Sequence, residues 1–162
     1  MGRNHFLDRV ITLLAEHGIR YCVVGGHAVN AYVMPVVTSD LDLAVASEDL
    51  QRVRDLLAHE FTPEPAAQSP NVSVIGSDLR VEIQTDPRYA EFAARATVRE
   101  VLGLSLPVAS LEDILSGKVW AVTDPARRPS KRQKDLADIS RILASYPALR
   151  DRVPPGLLTK LM

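Results

Sequence analysis

A short run rich in β-branched residues, 19–24, ends in Gly25-Gly26, and thirteen residues later comes Asp40-Leu41-Asp42-Leu43. Both apolar segments read as strands, because alternate side chains of an extended chain share a face. Asp40 and Asp42 then point one way, about 7 Å apart along the backbone, while Leu41 and Leu43 point into a core. Two adjacent carboxylates repel, and a bound divalent cation would explain their retention: hard oxygen ligands suit Mg²⁺. Gly25-Gly26 lies between a strand and a helix. Its missing Cβ atoms would let phosphate oxygens approach the backbone, and a helix starting at His27-Ala28 would offer free N–H groups. Alone, the acids describe a solvated face and the glycines a turn. In this order they describe a triphosphate site.

The remaining pattern predicts a mixed α/β (α+β) domain. Residues 3–17 carry Phe6, Val10, Leu13 and Leu14 at helical spacing, with Gly18 as the C-cap. A short helix is expected over 28–34, closed by Pro35, followed by a strand over 41–46 and a helix over 47–59 capped by Ser47. Residues 62–70 contain three of the eleven prolines and read as a loop. Residues 72–75 and 79–85 alternate around Gly76-Ser77-Asp78 as a hairpin, and 97–108 reads as two strands around Gly103. Ser110 with Asp113 caps a helix to Thr123, Ser130 with Gln133 caps another to Ser145, and 147–162 is a helical tail. The expected organisation is a small mixed-sheet core with an N-terminal helix over 1–108, and a helical part over 109–162 packed on the same domain.

Composition narrows the class. The 162 residues suit one domain, and a net charge of −1 argues against a general polyanion binder while permitting a local basic site. Cys22 is the only cysteine, so neither an internal disulfide nor a Cys-rich zinc cluster can form. His5, His17, His27 and His59 have no metal-ligand spacing. The uncharged stretch 21–37 holds two glycines, His27, Asn30 and Pro35, and falls short of the about 20 apolar residues of a bilayer span. With no signal-peptide pattern, a cytoplasmic location is the expectation.

A third acid is needed near the pair. In Leu79-Arg80-Val81-Glu82-Ile83-Gln84 the aliphatic residues face the core, which turns Glu82 to the other side. Asp78 and Asp86 are rivals that turn and strand-end positions also explain. Further on, Lys118 projects from an apolar helical face formed by Leu111, Ile114, Leu115 and Val122. Such a lysine either snorkels to water or aims its ammonium at phosphates in a cleft. Six basic residues against one acid follow between Lys118 and Lys134, a run that forms a solvated face or a site for phosphates. His27, Cys22 and Trp120 read as packing residues, and Tyr32 and Tyr89 are equal candidates for a nucleobase contact.

These motifs resemble the polymerase β-type nucleotidyltransferase superfamily, whose signature is a hydrophobic strand ending in Gly-Gly or Gly-Ser, then Asp-hydrophobic-Asp. Lys118 with Arg132-x-Lys134-Asp135-x-x-Asp138 is similar to the C-terminal motifs of AbiEii-type nucleotidyltransferases, toxins of bacterial toxin–antitoxin systems. The resemblance implies that Asp40, Asp42 and Glu82 hold two Mg²⁺ ions and act in catalysis. It implies that Asp135 assists catalysis or positions the nucleotide, with Asp138 secondary. Gly25, Gly26, Lys118 and Lys134 would bind nucleotide phosphates. The implied reaction is attack of a hydroxyl on the α-phosphate of a nucleoside triphosphate (NTP), with pyrophosphate leaving. The acceptor would be an RNA end such as tRNA, or a protein, and an antitoxin would be the partner. Two alternatives stay open: a small antibiotic-modifying nucleotidyltransferase of the lincosamide or aminoglycoside kind, and an inactive nucleotidyltransferase-like binding domain.

Overall fold

The computed structural model describes residues 5–61, 72–76 and 79–161. Helix α1 (His5–Glu16) buries Leu7, Val10 and Leu14. Phe6 and Leu13 lie at the margin of that stripe, where Phe6 meets Phe61 edge-on. The helix stops at Gly18, whose φ of +66° is the left-handed C-cap conformation. Strand β1 (Tyr21–Val24) runs directly into α2 (Gly25–Asn30), so this helix starts on the glycines rather than after them. It is also shorter than the spacing suggested. The Asn30 side chain receives the Val36 N–H and donates to the Val36 carbonyl, which folds the chain back before Pro35.

Strand β2 (Asp40–Val45) is followed by a 3-10 turn (Ser47–Asp49) and α3 (Leu50–Glu60). Ser47 makes no capping bond, and Asp49 occupies the N-cap position of α3 while its carboxylate pairs with Arg52 at 3.1 Å. The hairpin is present as β3 (Val72–Ile75) and β4 (Arg80–Gln84). The expected loop over 62–70, and Ser77-Asp78 in the hairpin turn, lie outside the described residues. Two 3-10 turns (Pro87–Tyr89, Phe92–Arg95) lead into β5 (Thr97–Val101) and β6 (Leu104–Val108).

Helix α4 (Leu111–Thr123) has the predicted cap: Ser110 Oγ accepts the Asp113 N–H at 3.2 Å. Helix α5 (Pro129–Ser145) begins one residue before the expected cap, with Arg128 at the N-cap position. Proline lacks an N–H and has its φ fixed near the helical value, so it takes the first helical position and Ser130 falls inside the turn. A 3-10 turn (Pro147–Arg152) and α6 (Pro155–Lys160) complete the chain.

The sheet order is β3-β4-β2-β1-β6-β5. β2 lies between parallel β4 and antiparallel β1, and β1 is parallel to β6. Val23, Leu41, Leu43, Val81 and Ile83 share one face and are fully buried. The other face carries Val24, Asp42 and Glu82, level with one another, and lies under α2, α4 and the Phe92–Arg95 turn. β4 is buried at its three central positions, as a strand covered on both sides must be. Among the described residues no helix is long and apolar enough to cross a membrane.

Candidate active site

The central strands bring the predicted acids together. Asp42 and Glu82 are direct partners in the parallel β2–β4 register and so stand side by side on one face. Asp40, two residues earlier on that face, is opposite Arg80. Its carboxylate lies 3.6 Å from Arg80 Nε and 4.0 Å from Lys131 Nζ. Burial, then the neighbouring Glu82, pushes the Asp42 carboxyl up from 3.8 to about 7, with Lys118 pulling the other way. Two acids pressed together out of water resist ionising together.

Gly25 explains how β1 can turn into α2 above this pair. Its φ is +72°, and a Cβ there would sit 2.1 Å from Asp42 Oδ2. The space freed by the missing side chain is therefore filled by the carboxylate. Gly26 is less constrained, since its added Cβ would lie 3.4 Å from Thr38 Oγ1.

The opposite wall comes from α4 and α5. Lys118 is buried at 9% exposure, on the apolar face of α4 where the periodicity placed it. It does not snorkel. Its ammonium lies 3.0 Å from Asp135 Oδ1 and 2.8 Å from Asp138 Oδ2. Burial alone would lower its pKa, but the two carboxylates more than offset this and the pKa is raised. Asp135 also accepts Arg127 Nε at 2.8 Å and Nη2 at 3.1 Å, and Asp138 accepts Arg141 Nη2 at 2.8 Å. Arg141 reaches on to Asn30 Oδ1 at 3.3 Å and to the Met34 carbonyl, tying α5 to the loop that leads to Asp40.

Gly25, Asp42, Tyr89, Lys118, Arg127 and Asp135 line one cavity between the two walls. Lys134 is exposed outside it, close enough to His27 for its charge to oppose protonation there. His27 is buried, its pKa is lowered chiefly by that burial, and its Nε2 has no hydrogen-bond partner among the described residues. Tyr32 is occupied elsewhere: its hydroxyl donates to the Ala109 carbonyl at 3.0 Å, with the Arg99 guanidinium 3.8 Å above its ring. Trp120 packs on Tyr89 and Phe92. Cys22 is a core residue whose thiol burial pushes up to about 12.

The sequence reading missed Arg127 and Arg141. Arg127 precedes α5 in a loop, where helical periodicity has nothing to say about direction. Arg141 did leave a signal, three residues after Asp138 on the same helical face.

A family model described as nucleotidyl transferase AbiEii toxin, type IV toxin–antitoxin system, matches residues 6–154. The chain belongs to the AbiEii nucleotidyl transferase family. No curated protein matches it in sequence. Several solved structures share the fold of this AbiEii chain. ANT(2″)-Ia in complex with adenylyl-2″-tobramycin aligns with a TM-score of 0.62 at 14% identity, over 98% of each chain. The lincosamide antibiotic adenylyltransferase LnuA, lincomycin-bound, gives 0.54 at 14% identity, over 86% of this chain and 98% of its own. An antigenic nucleotidyltransferase-like protein from Paracoccidioides brasiliensis gives 0.53 at 18%, over 84% and 73%. At these identities the likeness is one of fold. Membership of the AbiEii family makes the chain an enzyme of the nucleotidyltransferase class, on the mixed sheet its D-x-D strand predicted.

Among the described residues no three His, Cys, Asp or Glu side chains form a ready-made metal cage. The donor set nevertheless fits a hard divalent ion. Mg²⁺ is held through one or two carboxylates, with water and substrate phosphates completing its shell. Asp42 beside Glu82 provides such a pair, and burial together with Glu82 raises the Asp42 pKa.

Proposed function

We propose that this AbiEii chain transfers a nucleoside monophosphate from an NTP to a hydroxyl of an RNA end, such as that of a tRNA, or of a protein, as the toxin of a toxin–antitoxin pair. The observation that supports it is the alignment of Asp42 with Glu82 across a cavity from Lys118 and Arg127. Asp42 and Glu82 stand together on one wall, and the other carries Lys118 and Arg127, both paired with Asp135. A triphosphate with its metal ions carries the complementary charges.

In this reading Asp40, Asp42 and Glu82 hold two Mg²⁺ ions. When bound, Mg²⁺ supplies Lewis-acid chemistry, neutralising the acids and favouring the ionised form of an attacking hydroxyl. Asp40, whose carboxylate lies 3.6 Å from Arg80 and 4.0 Å from Lys131, would be the third ligand. Lys118 holds phosphate charge at the far wall. The acceptor oxygen forms a bond to the α-phosphorus, the bond to the bridging oxygen breaks, and pyrophosphate leaves with that electron pair. The acceptor proton passes to a carboxylate, Glu82 being the one level with Asp42. A small antibiotic acceptor is the second reading, favoured by the near-complete structural overlap with ANT(2″)-Ia.

The test is label transfer. Wild type and Asp42→Ala are incubated with each NTP labelled at the α-phosphate, with Mg²⁺ and separated fractions of cellular RNA, cellular protein and small antibiotics. Label entering RNA or protein with wild type alone supports the proposal, and label entering only the antibiotics replaces it with the second reading. Equal labelling by the two proteins in every fraction removes both.

A further inference from the structure

Asp135 has no oxygen to spare. It is 1% exposed, and its two oxygens are taken by Lys118 and by a two-bond clasp from Arg127. Lys118 gives two of its three donors to carboxylates, at 10% side-chain exposure. Arg127 differs. A guanidinium carries five N–H donors in a planar fork. Only Nε and Nη2 of Arg127 bond to Asp135, and no other side-chain hydrogen bond of this residue occurs among the described residues. Its side chain stays 31% exposed and lines the cavity that holds Asp42.

The backbone beneath Arg127 is pinned as well. Its N–H donates to the Asp124 carbonyl at 3.0 Å, and its own carbonyl accepts Arg132 Nη2 at 3.1 Å. The same Arg132 nitrogen also bonds the Asp124 carbonyl at 3.0 Å, so the turn before α5 is closed from both sides. A guanidinium fixed at its root by the turn and along one edge by a carboxylate keeps its other edge directed and unspent. Planar forks of this kind bind phosphate through paired N–H bonds.

We infer that Arg127 binds the triphosphate of the NTP through its outer edge, with Asp135 as the positioning residue that aims it. This rests on the nucleotidyl-transfer reading for the identity of the ligand. Arg127 keeps its Asp135 bonds and adds phosphate with the remaining donors, so binding requires no exchange of partners. The ligand class is a polyphosphate tail, whatever base is attached.

The test uses inorganic tripolyphosphate with Mg²⁺ as the probe, titrated calorimetrically into wild type, Arg127→Gln, Arg127→Lys and Arg128→Gln. Arg127→Gln weakens binding about tenfold or more, and Arg127→Lys recovers only part, because a point charge lacks the fork. Arg128→Gln, beside it on the same basic run, stays within about twofold of wild type. In turnover, Arg127→Gln raises KM for the NTP more than it lowers kcat, the mark of lost ground-state binding. A residue that only braced Asp135 would leave tripolyphosphate affinity intact. Should Arg127→Gln fail to fold, Arg127→Lys against Arg128→Gln decides alone, a loss confined to Arg127→Lys being the supporting result. Equal affinity with and without Arg127, an equal loss in Arg128→Gln, or no binding by wild type overturns the inference. The binding arm needs no turnover: tripolyphosphate held through Arg127 by a chain that labels no acceptor refutes the transfer reading and leaves this one standing.

Discussion

Replacing Asp42 by Asn should make the metal-free protein more stable while removing its activity. The two side chains have nearly the same shape, and the Asn amide cannot ionise. In the folded chain the Asp42 carboxyl rises from 3.8 to about 7 because it is buried and faces Glu82. At about 1.4 kcal/mol per pH unit, holding it ionised at pH 8 costs at most about 4 kcal/mol. Asp42 keeps some contact with the cavity, and screening there brings the expected gain for Asp42→Asn to about 2–4 kcal/mol.

The sign follows from proton counting. A folded pKa above the unfolded one means that the native state binds more protons between pH 4 and pH 7. Wild-type stability from this group is therefore present at pH 4, falls as pH rises through that window and is gone above about 7. Asp42→Asn is blind to the window. Urea unfolding of both proteins in a chelator at pH 8, pH 5 and pH 4 reads the difference, and titrating groups away from the Asp42–Glu82 pair cancel between the two. The advantage of Asp42→Asn is largest at pH 8, less than half as large at pH 5 and nearly absent at pH 4. An Asp42→Asn protein that is no more stable at pH 8, or whose advantage does not change with pH, refutes the electrostatic account of the pair.

Gly25→Ala places a methyl group 2.1 Å from Asp42 Oδ2 at a φ of +72°, so melting should fall and label transfer should be lost, whereas Gly26→Ala, 3.4 Å from Thr38, keeps its melting temperature. Lys118→Met leaves Asp135 and Asp138 with Arg127 and Arg141 alone, and the expected loss is about 3 kcal/mol by urea unfolding, the low end for a broken buried pair. Ser110→Ala removes the cap of α4 and should cost about 1 kcal/mol, or about 3 °C in melting temperature.

The acid wall was legible because strand alternation is a strict rule. Once Leu41 and Leu43 were assigned to the core, Asp40 and Asp42 had to share the other face, and the same rule turned Glu82 toward it. The pairing of β2 with β4 was not legible. It is a parallel match between segments some forty residues apart, fixed by the sheet order rather than by either segment. Asp86, the rival acid, is accounted for by a turn: it accepts the Arg88 N–H at 2.9 Å and pairs with the Arg88 side chain. Helix starts misled where a competing local bond was stronger, Arg52 taking Asp49 and Pro129 displacing Ser130. Arg127 was hidden for another reason, since its direction depends on a turn closed by Arg132 and on an acid eight residues away.

The two walls also depend on each other. Without Asp135 and Asp138, burial would lower the pKa of Lys118, because it disfavours the charged form. With them its pKa is raised, and its charge opposes the burial and the Glu82 repulsion that lift the Asp42 carboxyl to about 7. Asp135 and Asp138 thus act on a carboxylate they do not touch, by keeping charged the cation that faces it.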